Sequence, residues 1–405
     1  MNILLISSYY NPHIGGGAEI MLQLQAEELV KRKHTVNVLV LTSDNNECQE
    51  TLNNGLKIYR CPIKNLYWPL SPQKNNSIKR LLWHFIDIYN IFYNKYIINK
   101  IAAIQPDIAI CHNLAGWSIS LWQNLKVLNI PIIQVIHDYY LLCPNSNMCK
   151  GTNPCKKQCF TCKLFTLLNK KLSQRIDGLV CVSQTVMDKI CKYSLFKYSQ
   201  KEVIYNSLRT IHSNKTKIWD GKGKLKVGFI GTLSPVKGVS NLIKAFKSIS
   251  VDADLYIAGK PKSPQYGEYL KELACNNNNI HFLGYCNPDK FYENIDLAIF
   301  PSIWEEPFGL VAIEACAHNI PCIVPSWGGL SEIIHNNING IYCNSKDIES
   351  IKNSIEYIYN NPNLYFKLVS NTYRTIEPFI NIDKWIESYE SLCKTIILNK
   401  RQNSK

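Results

Sequence analysis

Short apolar runs alternate along the chain with longer segments of helical periodicity. An apolar run bounded by polar or turn residues predicts a buried strand, and apolar residues spaced by three and four predict an amphipathic helix. Strands predicted in this way in the first half are 3–7, 36–42, 56–61, 106–111, 131–137 and 178–183. In the second half they are 225–230, 253–258, 280–282, 297–300 and 321–324. The alternation predicts the α/β class, with parallel sheets covered by helices on both faces.

A polar stretch, 212–224, separates the two series of strands and reads as a linker. The sequence therefore predicts a first domain at 1–205 and a second at 206–380, each long enough to form its own core. Residues 381–405 follow as a helical pattern around 383–398 and a polar tail.

The most particular segment is EPFGLVAIE, which begins at Glu306 and ends at Glu314. An apolar run precedes it and an apolar periodic segment follows, so Glu306 is expected in a strand-to-helix turn and Glu314 in the second turn of the helix. The backbone N–H groups of Phe308, Gly309 and Leu310 would then be the unpaired donors of a helix N-terminus, which suits a diphosphate. Two carboxylates beside them can accept hydrogen bonds from hydroxyls. A nucleotide sugar has this layout.

This segment resembles the signature of the retaining glycosyltransferases of family 4, and six other motifs resemble that family in the same order. They are GGGAE at 15–19, HDYYLLCP at 137–144, VIYNS at 203–207, FIGTLSPVKG at 229–238, HFLGY at 281–285 and GGLSEII at 328–334. The resemblance covers nearly the whole chain. It implies a GT-B fold, in which two Rossmann-like, doubly wound parallel-sheet domains face a cleft and the C-terminal helix crosses back to the first domain.

The resemblance also implies an activity and three catalytic residues. The reaction would move a sugar from a nucleotide-diphosphate sugar to a glycan or lipid-linked acceptor with retention of configuration, as in cell-surface polysaccharide or glycolipid biosynthesis. Glu306 would bind the sugar hydroxyls and Glu314 the ribose. Lys237 would neutralise the charge that develops on the diphosphate, and His137, at the end of a predicted strand, would lie against the donor sugar.

In this scheme the departing phosphate itself takes the acceptor's proton in a same-face displacement. Fixed positive groups replace a divalent ion, so no cofactor is required for catalysis.

Two glycines and one threonine complete the predicted donor site. Gly15–Gly17 does not fit the GxGxxG fingerprint and on its own would be a flexible turn. Within the resemblance, Gly16 and Gly17 let the backbone approach the donor diphosphate. The family commonly has Arg immediately after Gly231, whereas this chain has Thr232, which can donate one hydrogen bond but carries no charge. Either another cation compensates, or the diphosphate is held less electrostatically.

Five of the sixteen cysteines fall in one short segment, 143–162, which is predicted as a turn-rich insertion in the first domain. Three states are open for them. Thiolates of Cys149, Cys155, Cys159 and Cys162 could bind a structural zinc, although the spacing is not that of a standard zinc ribbon. Disulfides and unlinked thiols are the alternatives.

The net charge of +14 does not indicate nucleic acid, because the basic residues are spread along the chain and no nucleic-acid motif accompanies them. An anionic membrane is the better partner. Between 57 and 104, basic residues (Lys64, Lys74, Lys79, Arg80, Lys95 and Lys100) alternate with aromatic ones. This composition suits an interfacial segment beside a lipid-linked acceptor, but it also suits an aromatic-rich core helix after a surface insertion.

No stretch has the length and apolarity of a membrane span, and the N-terminus has no basic region of the kind a signal peptide carries. The expected location is cytoplasmic, with peripheral contact at the inner face of the membrane as an option. The alternative to an enzyme is a catalytically silent GT-B protein that binds nucleotide sugar or glycan. Another GT-B enzyme, such as a phosphorylase or an epimerase, is disfavoured because its signature differs from the Glu306–Glu314 segment.

Overall fold

The computed structural model describes residues 1–71, 76–209 and 218–403, and the chain divides into two compact units. Unit 1 comprises Met1–Asn147, Lys157–Asn206 and Asp383–Lys405. Unit 2 comprises Met148–Lys156 and Ser207–Ile382. The predicted linker lies partly outside the described residues, as does Lys74 of the predicted interfacial segment. Residues 148–156, predicted as part of the first domain, group with unit 2.

Unit 1 contains an eight-stranded sheet. Its strands are β1 (Asn2–Ile6), β2 (Thr35–Thr42), β3 (Cys48–Thr51), β4 (Lys57–Pro62), β5 (Ile108–Cys111), β6 (Ile132–Ile136), β9 (Gly178–Cys181) and β10 (Gln200–Val203). Two short strands, β7 (Cys149–Lys150) and β8 (Asn153–Pro154), form a separate hairpin in unit 2. The order in the large sheet is β10-β9-β6-β5-β1-β2-β4-β3, and only β3 runs antiparallel to its neighbour. Because β1, β5 and β6 are buried throughout, they read as continuous apolar runs.

The helices of this region are α1 (Gly17–Lys31), α2 (Ser77–Ile88), α3 (Asn94–Ile104), α4 (Ser120–Val127), α5 (Phe160–Phe165), α6 (Leu167–Ser173) and α7 (Gln184–Lys192). The last helix of the chain, α15 (Ile382–Asn403), lies almost wholly in unit 1. Its acidic side chains form ion pairs with Arg32 at the end of α1, at 2.8 Å from Asp383 and 3.2 Å from Glu390.

Unit 2 contains a six-stranded, fully parallel sheet. Its strands are β11 (Leu225–Ile230), β12 (Ala253–Ala258), β13 (Ile280–Gly284), β14 (Leu297–Ile299), β15 (Cys322–Pro325) and β16 (Gly340–Cys343). The helices are α8 (Val239–Phe246), α9 (Pro264–Ala274), α10 (Pro288–Glu293), α11 (Leu310–Ala317), α12 (Leu330–Ile333), α13 (Ile348–Asn360) and α14 (Pro362–Ile376). The order β13-β12-β11-β14-β15-β16 is the Rossmann order, 3-2-1-4-5-6.

Both sheets reverse their strand order next to the first strand of the unit, at β1/β5 and at β11/β14. Open α/β sheets bind ligands at such a switch point, outside the carboxyl ends of the strands. The loops that leave these strands are therefore where each unit's chemistry is expected. Within residues 1–71, 76–209 and 218–403, no helix is long and apolar enough to cross a membrane.

Candidate functional site

In unit 2, two loops that leave the switch point bring Lys237 and Glu306 together. A single 3₁₀ turn at Pro235–Lys237 follows β11, and the loop after β14 is tied to it by a hydrogen bond from the N–H of Ile303 to the carbonyl of Val236, at 2.8 Å. Gly238 ends the turn with a φ of 75°, and a Cβ at that position would lie 1.9 Å from the carbonyl oxygen of Pro301. Only glycine lets the two loops approach this closely.

Lys237 and Glu306 form an ion pair, with 2.6 Å between Nζ and Oε1. The hydroxyl of Ser302 donates to the same carboxylate oxygen. Glu306 is only 6% exposed, and Lys237 is half-buried with its ammonium 5.8 Å from the ring centre of Trp304. In surroundings with little water, the pair attracts more strongly than it would at the surface, and its geometry is correspondingly fixed.

The turn that carries Glu306 leads directly into α11. The backbone carbonyl of Glu306 accepts a hydrogen bond from the N–H of Gly329, at 2.7 Å, which fixes the turn against the loop after β15. Gly309 precedes α11 with a φ of 128°, and a Cβ there would lie 2.4 Å from Leu330. Helix α11 begins at Leu310, where the sequence predicts its N-terminus. The side chain of Phe308 is buried beside Phe379.

Glu314 lies in the second turn of α11 and does not share the surroundings of Glu306. Its Oε2 accepts a hydrogen bond from the hydroxyl of Tyr292 at 3.2 Å. Burial raises the pKa of the Glu314 carboxyl to about 7, and the nearby charge of Asp289 adds to the rise. Near neutral pH this side chain is thus poised between its protonated and ionised forms.

In unit 1, the loop before α1 is fastened by Glu19. Its carboxylate accepts hydrogen bonds from the N–H of Gly16 at 2.8 Å and from the side chain of Asn113 at 3.3 Å. Burial raises the pKa of Glu19, and the charge of Asp138 contributes to the shift. Gly16 was predicted to approach a diphosphate, but its N–H already has this partner; Gly17 is the first residue of α1. The contacts of Glu19 bring the glycine loop and the ends of β5 and β6 into one region.

The side chains of Gln25, His112 and His137 form a hydrogen-bonded row in unit 1. Nε2 of His112 lies 2.8 Å from the amide oxygen of Gln25, and its Nδ1 lies 2.8 Å from Nε2 of His137. An amide oxygen only accepts, so His112 donates from Nε2, accepts at Nδ1, and leaves His137 as the donor from Nε2. His137 then carries its lone pair on Nδ1. Burial lowers the pKa of His137 to about 4 and that of His112 well below its usual range, so both rings are neutral at physiological pH.

Two carboxyl groups of unit 1, those of Asp87 and Asp138, have raised pKa values. Asp87 is buried and accepts hydrogen bonds from the hydroxyl of Tyr140 at 2.5 Å and from the N–H of Gly116 at 2.7 Å. Burial nevertheless raises its pKa to about 7, and it raises the pKa of Asp138, beside His137, to about 6. At pH 7 the two histidines are therefore neutral, whereas Asp138 is largely ionised and Asp87 partly so.

The predicted site residues thus fall into two clusters, one in each unit. Glu306 and Lys237 are in direct contact in unit 2, where Phe308, Gly309, Leu310 and Glu314 follow along the chain, and Thr232 is exposed after Gly231 at the end of β11. His137, Gly16 and Gly17 belong to unit 1. The roles predicted for these residues remain predictions.

The four predicted zinc ligands fall in two different units. In the parts of the chain that the structure describes, no three or more His, Cys, Asp or Glu side chains are arranged to hold a metal ion. The thiol of Cys162 contacts those of Cys159 and Cys143, whereas Cys149 and Cys155 group with unit 2, on the hairpin and beside it. The spacing of the cysteines suggested a four-ligand set because it does not reveal that the segment is divided between two units.

Sequence reasoning missed several polar side chains of these two clusters: Gln25, Asp87, His112, Tyr140, Tyr292 and Ser302. One of them carried a usable signal. His112 follows the buried strand β5 just as His137 follows β6, and polar residues at the ends of neighbouring parallel strands meet at one edge of the sheet. The others act through contacts that only the folded chain brings about.

Comparison with known proteins identifies the family of the chain. Residues 15–210 match the family described as glycosyltransferase family 4, and residues 213–375 match glycosyl transferases group 1. A Klebsiella pneumoniae protein described as an uncharacterized 42.6 kDa protein in the cps region is 34% identical over 333 residues, which span 82% of this chain and 87% of that protein. The Staphylococcus aureus capsular polysaccharide biosynthesis glycosyltransferase CapM is 25% identical over 236 residues, 54% of this chain and 62% of the relative.

Among solved structures, the Anabaena protein Alr3699/HepE, in complex with UDP and glucose, superposes with a TM-score of 0.71. The match covers 97% of this chain and 99% of that one at 17% identity, a level that shows the fold alone. The chain thus has a GT-B fold. It belongs to the group 1 and family 4 glycosyltransferases and is a transferase enzyme.

Proposed function

We propose that this enzyme is a retaining glycosyltransferase that moves a sugar from a nucleotide-diphosphate donor to a glycan or lipid-linked acceptor in cell-surface polysaccharide or glycolipid biosynthesis. The polysaccharide part rests on relatives whose names refer to a cps region and to capsular polysaccharide biosynthesis. The donor class is supported by HepE, which binds UDP and glucose. The enzyme itself would work on the cytoplasmic side.

The observation that carries the donor site is the Lys237–Glu306 pair at the switch point of unit 2. A buried carboxylate suits sugar hydroxyls, and an ammonium beside it suits a phosphate oxygen. Since 2.6 Å separates the two groups, a ligand that engages both must carry a hydroxyl and a negative charge on neighbouring groups. A sugar phosphate has this feature at the bond that the reaction breaks. The N-terminus of α11, at Phe308, Gly309 and Leu310, offers further backbone donors to the diphosphate.

The proposed chemistry is electrostatic. As the bond from C1 of the sugar to the phosphate oxygen breaks, negative charge grows on the departing diphosphate, and Lys237 and the N-terminus of α11 stabilise it. The leaving phosphate oxygen accepts the acceptor's proton while the acceptor oxygen attacks the same face of C1. Glu306 holds the sugar hydroxyls, and the Ser302 and Lys237 contacts keep its carboxylate oriented. Glu314 binds the ribose.

His137 is proposed to contact the transferred sugar as a neutral ring. With Nε2 committed to His112, its Nδ1 can accept a hydrogen bond from a sugar hydroxyl. A neutral imidazole does not repel the positive charge that develops at C1, whereas an imidazolium would. The depressed pKa of His137 is therefore part of the proposed mechanism.

For the charge that Thr232 does not supply, we propose the neighbouring lysines Lys260 and Lys262. The two chain segments run side by side, because the N–H of Leu233 donates to the carbonyl of Lys260 at 3.0 Å and the N–H of Lys262 donates to the carbonyl of Leu233 at 2.9 Å. Both lysines are exposed at the carboxyl-end edge of the sheet. Either could balance diphosphate charge from a different backbone position than the family's usual arginine.

A donor panel tests this function. Nucleotide-diphosphate sugars are screened by thermal shift, because a donor at 100 times its Kd should stabilise the fold by about 2.7 kcal/mol. The hit is then incubated with membrane extract, and the configuration at C1 of the product is read by NMR. Retention supports the proposal. Inversion, or turnover of no donor, would contradict it. Glu314→Ala should weaken nucleotide binding, and unchanged affinity would remove the ribose role.

A further inference from the structure

Helix α2 of unit 1 has one face buried in the core and a second, apolar face that is exposed. Trp83 and Asp87 are its buried residues and lie four positions apart, so they share the inward face. A second set at helical spacing points outward and is exposed to solvent: Ile78, Leu81, Leu82 and Phe85, with Ile78 at 70% exposed. Large apolar side chains in a continuous exposed stripe indicate an interaction surface rather than ordinary surface scatter.

The stripe continues onto α5 and α6. Phe85 packs against Phe165 of α5, with 4.9 Å between ring centres, and His84 contacts the same ring. Beyond this contact, Phe160, Leu164 and Leu167 are exposed, Phe160 to 80%. The seven exposed residues on α2, α5 and α6 are called here the apolar surface; they are Ile78, Leu81, Leu82, Phe85, Phe160, Leu164 and Leu167.

The two segments that carry the apolar surface are rich in basic residues and poor in acidic ones. Residues 63–105 contain a single acidic residue, Asp87, which is buried on the inward face of α2, and residues 139–176 contain none. Exposed basic side chains accompany both segments: Lys79, Arg80, Lys95, Lys157, Lys163, Lys170, Lys171 and Arg175. An exposed apolar stripe whose own segments carry exposed basic side chains matches an anionic lipid surface, which offers acyl chains below and phosphates above.

We propose that the apolar surface docks unit 1 onto an anionic lipid bilayer. The exposed side chains of α2, α5 and α6 enter the boundary between headgroups and acyl chains, and the surrounding lysines and arginines contact lipid phosphates. A second copy of the chain fits less well, because two such surfaces would bring like charges together. Docking would give the enzyme access to a lipid-linked acceptor. That use rests on the proposed function, but the docking itself does not.

The cysteine segment gains a role from this placement. Gln158 donates to the carbonyl of Leu142 at 2.7 Å, and Asn169 donates to the carbonyl of Leu141 at 2.9 Å. Helices α5 and α6 are thereby fastened to the segment that follows His137. These two hydrogen bonds therefore position α5 and α6, with their part of the apolar surface, relative to the residues that follow His137.

The test is sedimentation of the full chain with vesicles, without donor. Wild type should bind vesicles that contain phosphatidylglycerol, bind vesicles of phosphatidylcholine alone weakly, and dissociate in high salt. Ile78→Ser with Leu82→Ser should weaken binding at least about tenfold, and Lys170→Glu with Lys171→Glu about 30-fold. The matched controls, Leu398→Ser and Lys394→Glu on α15, should bind as wild type does. All substituted residues are exposed, and circular dichroism checks that each variant is folded.

Equal binding by all folded variants, or no binding by wild type to anionic vesicles at low salt, would overturn the proposal. Wild-type dimers that dissociate in the Ile78→Ser and Leu82→Ser variant, without vesicle binding, would assign the surface to a second copy instead. A separate measurement, slow hydrolysis of the donor in solution, distinguishes a failure of this inference from a failure of the proposed function. Vesicle binding by a protein that turns over no donor would contradict the proposed function alone, and donor turnover without vesicle binding would contradict this inference alone.

Discussion

The two clusters of predicted site residues occupy the same place in two similar sheets but differ in charge. In unit 2, an ammonium and a carboxylate, Lys237 and Glu306, are in contact at 2.6 Å. In unit 1, burial keeps His137 and His112 neutral and raises the carboxyl pKa of Asp138 to about 6. In the proposed mechanism, Lys237 stabilises the growing negative charge of the diphosphate, and the neutral ring of His137 forms hydrogen bonds with uncharged groups.

The largest expected effect comes from removing the cation of the charged cluster. Lys237→Ala should lower the turnover number roughly 100-fold or more while donor affinity changes much less, because the charge it stabilises grows in the transition state. Single-turnover kinetics and donor titration measure the two quantities separately. Lys271→Ala, an exposed lysine on α9, is the control. Wild-type turnover in Lys237→Ala would mean that the diphosphate lies elsewhere.

The neutral state of His137 is tested by changing His112, the hydrogen-bond partner of its ring. His112→Ala removes the hydrogen-bond partner of Nε2 and admits water, so the pKa of His137 should rise from about 4 towards its ordinary value of 6.5. Turnover of the variant should then fall between pH 7 and pH 5.5, as His137 becomes charged, whereas wild type should show no such decline from this group. Imidazole NMR follows the titration directly.

His335→Asn, at an exposed histidine, is the matched control for that experiment. If His112→Ala leaves both the His137 titration and the pH profile as in wild type, then His112 does not position His137.

The sequence predicted more of the cluster in unit 2 than of the cluster in unit 1. Glu306, Gly309 and Lys237 stand in continuous motifs beside apolar strands, and the strand-to-helix turn was placed correctly. The row from Gln25 through His112 to His137 joins α1, β5 and β6, which are far apart in sequence. Its neutrality also depends on burial, which residue order does not give.

The strands show the same limit. The buried runs at β1, β2, β5, β6, β11, β12 and β15 were predicted to within two residues at either end. Strand β3 was missed because its four residues, Cys48–Thr51, are all exposed and carry no apolar pattern; it pairs only at the edge of the sheet. The aromatic-rich region near α2 fits both earlier interpretations, since Trp83 faces the core and Phe85 faces solvent.

A smaller effect is expected on stability at Glu314. Its pKa in the folded chain, about 7, exceeds the ordinary value of 4.5, so folding favours the protonated form. Wild type should therefore lose stability as pH rises from 4.5 through 7, and Glu314→Gln should escape about 2–3 kcal/mol of that loss. Urea unfolding of both proteins at pH 5 and pH 8 measures the difference. Glu349→Gln, on an exposed ion pair, retains Glu314 and should lose stability with rising pH as wild type does. An equal pH response in wild type and Glu314→Gln would contradict the shift.

The smallest effect is expected at Thr232. Because Lys260 and Lys262 are proposed to supply charge beside β11, Thr232→Arg should change nucleoside diphosphate affinity by less than about tenfold in wild type. In a Lys260→Ala and Lys262→Ala background, the same substitution should tighten binding by about tenfold, since a charged hydrogen bond is worth roughly 1.5–3 kcal/mol. Calorimetric titration with UDP checks both. Equal effects in the two backgrounds would remove the lysines from the site.

The central claim, that Lys237 and Glu306 act as one unit on the sugar phosphate, is tested most directly by a double-mutant cycle on turnover. Lys237→Ala, Glu306→Ala and the double variant are compared with wild type at saturating donor. Residues that act together lose little more when both are removed than when one is, so the double variant should turn over within about tenfold of the slower single variant. Losses that multiply across the cycle would mean that the two residues act independently and would contradict the account.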